Sequence, residues 1–212
     1  MIRMFKTHSI KLLVLTLLFA ISIVFSLNSE FPEQQLLQHL GTLVVASILF
    51  FDLKARRLSL GAFFGVSCFI LLHIIGAKWI YSFVPYQNFF NAFGFDLHEL
   101  FGLDSTRNHY DRFVHFSFGV FMFPFVYEVY RYRVQKVMLS LLLAWLTIQT
   151  FSLLYEVFEW MLTLFISGEG ATDYNGQQGD IWDAQKDMAL AMLGSTLMTI
   201  VYFYKVSLKK KK

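Results

Sequence analysis

The side chains that could do chemistry concentrate in three short polar clusters of an otherwise apolar chain. In chain order, the clusters contain Arg107, Asn108, His109, Asp111, Arg112 and His115, then Glu156 and Glu159, then Gln178, Asp180, Asp183, Gln185 and Asp187. Within a helix, residues three, four or seven positions apart share one face. The spacing of Asp111 and His115, and that of Asp180, Asp183 and Asp187, therefore predicts two acidic helix faces.

Carboxylates and an imidazole that lie close together can support two kinds of chemistry. One is a divalent metal site, because these ligands suit Mn²⁺, Mg²⁺ or Zn²⁺, and a bound ion can activate water against a phosphoester or an amide. The other is metal-free acid–base catalysis by clustered carboxylates, with a histidine as the proton shuttle. Spacing does not choose between them, since the chain has no strict metal signature such as His-Glu-x-x-His.

Residue type and position suggest a role for each member of the clusters. The expected catalytic residues are Asp111, His115, Glu156 and Glu159, and the expected metal ligands are Asp180, Asp183 and Asp187. The expected substrate-binding residues are Arg107, Asn108, His109, Arg112, Gln178 and Gln185. In this scheme the two arginines hold an anionic headgroup. A divalent metal ion is the candidate cofactor.

A structural explanation stays open for part of this set. Asn108, Asp111 or Asp180 could cap a helix, because a polar side chain there satisfies free backbone N–H groups. Glu156 and Glu159 are harder to explain in this way, since they lie well inside an apolar run. An ionised carboxylate at the centre of a bilayer costs about 2.5–3.5 kcal/mol or more. The two glutamates must therefore face the bundle interior, where an arginine or lysine could also pair with them.

The elements that hold these clusters must be membrane helices. Of the 212 residues, 56% are hydrophobic and only 16% are charged, whereas soluble domains have about 25% charged residues. Apolar runs close to the roughly 20 residues of a spanning helix occur at about 9–27, 36–53, 58–83, 113–130, 137–166 and 188–204. We therefore predict an all-α fold in which residues 1–212 form a single domain of six transmembrane helices. The first run is expected to be an uncleaved span.

The basic residues predict the orientation of these spans. Fourteen of the eighteen lysines and arginines lie near the two termini and in the loops after the second and fourth spans. Because basic loops stay on the cytoplasmic side, both termini are expected to be cytoplasmic. The loops 28–35, 84–112 and 167–186 are then external, which places all three polar clusters at the external face. The C-terminal lysines are expected to meet solvent or anionic lipid rather than nucleic acid.

Isolated polar residues inside the apolar runs receive plainer interpretations. His39 and His73 are expected to be core histidines with a satisfied hydrogen bond. Cys68 is the single cysteine, so the chain has neither a disulfide framework nor a thiolate metal cluster.

The clusters also resemble a known protein family. They read Arg107-Asn108-His109-Tyr110-Asp111-Arg112…His115-Phe116…Gly119, Glu156…Glu159-Trp160 and Gln178-Gly179-Asp180-x-Trp182-Asp183-x-Gln185-x-Asp187-Met188. In these motifs the chain resembles the YjdF family of bacterial inner-membrane proteins of undetermined function. More distantly, the order of an Asp-Arg-x-x-His motif, a glutamate and a late pair of aspartates is similar to VanZ-like membrane proteins. The resemblance implies a multi-pass protein of the inner membrane with a role in the cell envelope.

Three functions are compatible with the sequence. The leading hypothesis is an enzyme that acts on a lipid or envelope precursor at the external face, by metal-assisted hydrolysis or transfer. The alternatives are a proton- or cation-coupled transporter, and a non-catalytic membrane partner whose polar cluster only holds the bundle together. The expected partners are membrane lipid and a lipid-like substrate. Against transport, the ionisable residues of the spans concentrate in their external halves.

Overall fold

Six long helices and two short ones make up most of the described chain. The computed structural model describes residues 2–27, 29–165 and 177–210. The helices are α1 (Ile2–Ser26), α2 (Pro32–Ala55), α3 (Leu60–Lys78), α4 (Tyr86–Asn91), α5 (Leu97–Phe101), α6 (Tyr110–Arg133), α7 (Val137–Phe165) and α8 (Asp183–Lys210). No strand occurs among the described residues, which confirms the predicted all-α class.

The six long helices are the predicted spans. Helices α1, α2, α3, α6, α7 and α8 are each long and apolar enough to cross a membrane, which confirms their number. Their ends differ from the apolar runs. Helix α3 ends at Lys78, before the predicted limit at 83, whereas α6 and α8 begin at Tyr110 and Asp183, before 113 and 188. A prediction from apolar runs leaves out the first turn of a helix when that turn is polar. The first turns of α6 and α8 are polar, and both contain candidate functional residues.

Some predicted features lie outside the described residues. These are positions 166–176, which include the end of the fifth apolar run and most of the predicted loop 167–186, and the last two lysines, 211 and 212. The orientation of the bundle in the membrane stays a prediction.

Helix α6 occupies the centre of the bundle. It packs against α3, α7 and α8, while α1 and α2 pack against α3 and against each other. Phe63 of α3 and Phe123 of α6 are completely buried in this core. Lipid tails are as apolar as leucine, so membrane helices associate through close packing at small residues. Here, the backbones of α6 and α8 lie close together at Gly119 and Gly194.

A buried ion pair closes the end of the bundle opposite the polar clusters. Lys11 Nζ lies 2.6 Å from Asp52 Oδ2 and donates a second bond of 2.7 Å to the carbonyl of Leu58. The other carboxylate oxygen of Asp52 accepts the backbone N–H groups of Arg57 and Leu58, each at 2.9 Å. These contacts tie α1 and α2 to the loop that leads into α3.

Candidate functional site: a buried carboxylate–imidazole cluster

Three helices bring their polar residues to one end of the bundle. Helices α6 and α8 begin there with polar first turns, and α7 reaches it with its last turns. Six candidate residues are buried, each with only 2–8% of its surface exposed, namely Asp111, His115, Glu156, Glu159, Asp183 and Asp187. At 1.5 Å per residue, the two glutamates lie roughly 9–14 Å along α7 from its end at Phe165. The three separate sequence clusters therefore form one buried cluster.

The innermost part of the cluster has the composition of a metal site. Asp111, His115 and Asp187 each offer one ligand atom, and the three atoms lie within 4.8 Å of one another. His115 Nε2 is 3.5 Å from Asp111 Oδ1 and 3.5 Å from Glu156 Oε1. Ligands around a divalent ion at 2.0–2.2 Å lie up to about 4 Å apart. A small inward movement of these side chains would therefore suffice to enclose an ion.

Two buried carboxylate oxygens in this group lack hydrogen bonds. Asp187 Oδ1 and Glu156 Oε1 have no hydrogen-bond partner within the described part of the chain. A buried polar atom without a partner costs about 1–3 kcal/mol, and more when it carries charge. Within the described residues neither carboxylate pairs with an arginine, because Arg107 and Arg112 bind Asp183 and Asp180. A cation at this position would give both oxygens a partner.

Two arginines, Arg107 in the loop before α6 and Arg112 in its first turn, hold the other aspartates. Arg107 pairs with Asp183 and also donates to the carbonyl of Gln177. Arg112 pairs with Asp180 and lies 3.5 Å from Asp183 Oδ1. The structure thus divides the three expected metal ligands: Asp180 and Asp183 bind guanidinium groups, and Asp187 joins Asp111 and His115 instead.

Asp180 lies at the rim of the cluster and carries a strongly stabilised charge. Lys186 Nζ is 2.6 Å from Asp180 Oδ2, and the backbone N–H of Trp182 donates to Oδ1 at 3.1 Å. These hydrogen bonds, with Lys186 first, lower the pKa of Asp180 from 3.8 to about 2. Asp180 therefore also satisfies a free backbone N–H group, that of Trp182 just before α8, as the structural explanation of this residue predicted.

Most of the expected substrate-binding residues fasten loops to one another. The backbone N–H of Asn108 donates to Gln178 Oε1 at 2.8 Å, and Gln178 Nε2 donates back to the Asn108 carbonyl at 3.0 Å. Asn108 Oδ1 also accepts the N–H of Tyr110, the first residue of α6. His109 Nε2 donates to the Asp104 carbonyl at 2.9 Å, and burial lowers the pKa of His109. Gln185 is exposed, away from the buried face of α8.

A cavity beside the cluster is lined partly by residues that the sequence did not single out. Its polar wall includes Tyr81, Ser152 and Tyr155 together with His73. His73 is a satisfied core histidine, as expected: Nε2 donates to the Gln38 carbonyl at 2.9 Å, and Nδ1 bonds to the hydroxyl of Tyr81. No sequence signal marks this wall, because its members come from α3, the turn after it and α7, and each looks ordinary in its own segment.

Six apolar spans around a buried polar cluster define this chain as a polytopic α-helical membrane protein. It belongs to the family described as "Predicted membrane protein (DUF2238)", whose model matches residues 10–207. It is also 34% identical over 140 residues to the inner membrane protein YjdF of Escherichia coli (strain K12). That alignment covers 63% of this chain and 61% of the relative, so the chain spans less than two thirds of the relative's length. No solved structure matches the chain.

These comparisons confirm the resemblance to the YjdF family and the predicted multi-pass location in the bacterial inner membrane. The more distant similarity to VanZ-like proteins and the metal site stay predictions.

Proposed function

We propose that this protein is a metal-dependent membrane enzyme that acts on a lipid or cell-envelope precursor. The observation that supports the proposal most is the convergence of Asp111, His115 and Asp187 within 4.8 Å, at a buried position within candidate membrane spans. Structural membrane contacts rarely gather several buried carboxylates, because each charge is costly there, and ionisable residues within spans usually mark functional sites.

In this proposal, Asp111, His115 and Asp187 hold one divalent cation. Two aspartates and one imidazole suit Mn²⁺, Mg²⁺ or Zn²⁺, and the ion would offset the negative charge that the three helices bury. When bound, such an ion supplies an activated water and polarises a phosphoryl or carbonyl oxygen. The unpartnered oxygen of Asp187 belongs to this ligand set.

Glu156 has the position of a general base. Its Oε1 lies 3.5 Å from His115 Nε2 and makes no hydrogen bond within the described residues. A carboxylate beside the ligand set can accept the proton of an attacking water, a role that acts over hydrogen-bond distances of about 2.6–3.2 Å. Glu159, one helical turn nearer to the end of α7, is buried close to Asp111 and Glu156.

The arginines position the site and can meet the substrate. Arg107 is buried, and its pair with Asp183 fixes the start of α8 against the start of α6. Arg112 keeps 19% of its side chain exposed and is shared between two aspartates at the rim. Of the two, Arg112 is therefore better placed to bind the anionic part of a headgroup.

Transport has less support than catalysis. Within the described residues, the buried charges form two groups, the carboxylate–imidazole cluster at one end and the pair of Lys11 and Asp52 at the other. Between them lies the apolar core, in which Phe63, Phe123 and Ile148 are at most 1% exposed. A proton or cation path needs ionisable groups through the bundle, and within the described residues no buried lysine, arginine, aspartate or glutamate lies between the two groups.

The proposal predicts metal-dependent conversion of a membrane lipid. The purified protein, in vesicles of total bacterial inner-membrane lipid, would be incubated with Mn²⁺, Mg²⁺ or Zn²⁺, or with EDTA. Lipid species would then be compared by mass spectrometry. We expect a species to be consumed only with metal, and roughly tenfold or more slowly in Asp187→Asn.

Asp104→Asn is the matched control, because it changes an exposed aspartate of the preceding loop whose carboxylate binds only Thr106 in the described structure. It should convert the lipid at the wild-type rate. No metal-dependent change in any lipid, or equal conversion by Asp187→Asn and the wild type, would contradict the proposed activity.

A further inference from the structure

A cavity of about 180 Å³ adjoins the carboxylate–imidazole cluster. One end of the cavity is lined by Asp111 and His115 of α6, which are two of the three proposed metal ligands. Apart from these two and the polar side chains described above, the wall is apolar and includes Val45, Phe69, Val114 and Phe118. The cavity therefore joins a reactive polar end to an apolar interior.

The cavity lies within the membrane-spanning part of the bundle. Its lining residues belong mainly to the candidate spans Pro32–Ala55, Leu60–Lys78, Tyr110–Arg133 and Val137–Leu164. Helix α2 packs on α1 and α3, while α7 packs on α6 and α8, so the cavity lies between α2 and α7. Gly41 of α2 and Phe151 of α7 line it and are exposed at the surface of the bundle. The mouth therefore faces lipid.

One polar atom inside the cavity lacks a partner. Ser152 is 2% exposed and lines the cavity, and its Oγ makes no hydrogen bond within the described residues. A serine within a helix usually bonds to the carbonyl four residues earlier, as Thr150 does with Leu146. An occupant with an oxygen near its polar end would give Ser152 a partner.

We propose that this cavity receives the aliphatic chain of a membrane lipid, which enters sideways between α2 and α7. A space of this size exceeds the apolar cavity of about 150 Å³ that takes up benzene, so it holds the first several carbons, and the remainder of the chain lies in the bilayer. The bond that joins the headgroup to the chain then lies next to Asp111 and His115. This inference rests on the proposed function and specifies its substrate class: a polar group attached to a long aliphatic chain.

Photocrosslinking tests the inference without requiring turnover. The full-length protein would be reconstituted in vesicles of phosphatidylethanolamine and phosphatidylglycerol. The vesicles would contain one of two photoreactive probes. One is a phosphatidylglycerol with a diazirine near the start of one acyl chain, and the other is an isoprenoid phosphate with a diazirine near its phosphate. After irradiation, labelled residues would be mapped by mass spectrometry. Phe69 and Phe118, which are only partly exposed, should be labelled by one or both probes, and the preferred probe identifies the chain type.

Two variants should close the cavity. Ser152→Phe fills it from α7, and Gly41→Leu fills it from α2, where a Cβ would make an ordinary contact of 3.5 Å with His73 Nε2. We expect either to reduce labelling of Phe118 about tenfold relative to labelling of the lipid-exposed Leu154. Leu142→Phe, which enlarges an exposed residue of α7 outside the cavity wall, should leave the labelling ratio unchanged.

The outcomes separate this inference from the proposed activity. Asp187→Asn should lose lipid conversion but keep the labelling of Phe118, because the chain site does not need the metal. Labelling of Phe69 and Phe118 no stronger than that of the fully buried Phe123, or labelling unaffected by both closing variants, would overturn the inference even if conversion is observed.

Discussion

At the scale of single residues, the carboxylates of the cluster differ in whether they pair with an arginine. Asp180 and Asp183 are neutralised by Arg112 and Arg107, so they fasten α8 to α6. Asp187, one turn further into α8, receives no arginine in the described structure. The same acidic face thus serves two purposes, attachment at the rim and, in our proposal, metal binding in the interior.

The rim carboxylate should keep its charge to unusually low pH. The pKa of Asp180 is lowered from 3.8 to about 2 by Lys186, the Trp182 N–H and Arg112. A group with a lowered folded-state pKa adds stability above its unfolded pKa and loses it as the pH falls through its folded pKa. The melting temperature of the wild type should therefore exceed that of Asp180→Asn by a constant margin from pH 7 to about pH 4.

Below that pH, the margin should shrink until it disappears near pH 2. The measurement is thermal unfolding of both proteins in detergent across the pH series, with Asp104→Asn run alongside as a loop-aspartate reference. A margin that is already lost between pH 6 and pH 5 would show that Asp180 is not held by these hydrogen bonds.

Sequence spacing predicted the members of the cluster but not their pairing. The intervals between Asp111 and His115 and between Asp183 and Asp187 place each pair on one helix face, and the structure brings these faces together. Which carboxylate meets which cation depends on the rotation and approach of α6 against α8. That relationship is set by contacts between residues some 75 positions apart, which no local pattern records.

At the scale of elements, a reciprocal glycine contact sets the approach of α6 and α8. A Cβ at Gly119 would lie 2.7 Å from the backbone nitrogen of Ser195 and would overlap the carbonyl of Ala191. A Cβ at Gly194 would in turn overlap the carbonyl of Phe116. Because both obstacles are backbone atoms, side-chain rotation cannot relieve them. These glycines allow His115 and Asp187 to come close.

Gly119→Ala should therefore destabilise the protein and separate the ligand set. We expect a loss of about 1–3 kcal/mol, the usual cost of overpacking a well-packed interface, with weaker metal binding in the folded fraction. Gly61→Ala is the matched control, because the nearest atom to its Cβ would be Ser59 Oγ at 3.8 Å. Unfolding in mixed detergent micelles measures the stability of the two variants. Equal stability of the two variants would show that α6 and α8 can separate without cost.

Helix boundaries were predictable only where hydropathy changes at the boundary. The structure ends α3 at Lys78, and Ile80 and Tyr81 follow with positive φ angles of 40° and 59°. Both residues are apolar or aromatic and extend the apolar run, so composition gave no sign of the turn. This turn is what places the hydroxyl of Tyr81 on His73 in the cavity wall.

At the scale of the whole molecule, hydropathy and charge predicted six spans and their orientation. The number of spans is confirmed because each is a long apolar segment that must shield its own backbone from lipid. The order in which they pack, with α6 at the centre, was not predictable, since every span is similarly apolar. The cavity follows from that packing and was likewise missed.

The orientation gives a prediction for the intact cell. A phosphatase reporter that is active only outside the cytoplasm should be active when fused after Asn175 and silent when fused after Arg133, because basic loops stay inside. Equal amounts of the two fusion proteins on an immunoblot serve as the control for expression. The opposite activities would move the carboxylate–imidazole cluster to the cytoplasmic face and exclude external envelope precursors as substrates.

If Asp111, His115 and Asp187 hold one divalent ion, as we propose, the purified protein should bind metal in a fixed ratio. Detergent-purified wild type, Asp187→Asn, His115→Asn and Asp104→Asn would be equilibrated with Mn²⁺ or Zn²⁺, freed of unbound metal and analysed by mass spectrometry of the elements. We expect about one tightly bound ion per chain in the wild type and in Asp104→Asn, and binding weaker by about tenfold or more in the other two variants. Absence of bound metal from the folded wild type, or equal retention in all four proteins, would contradict the proposed metal site.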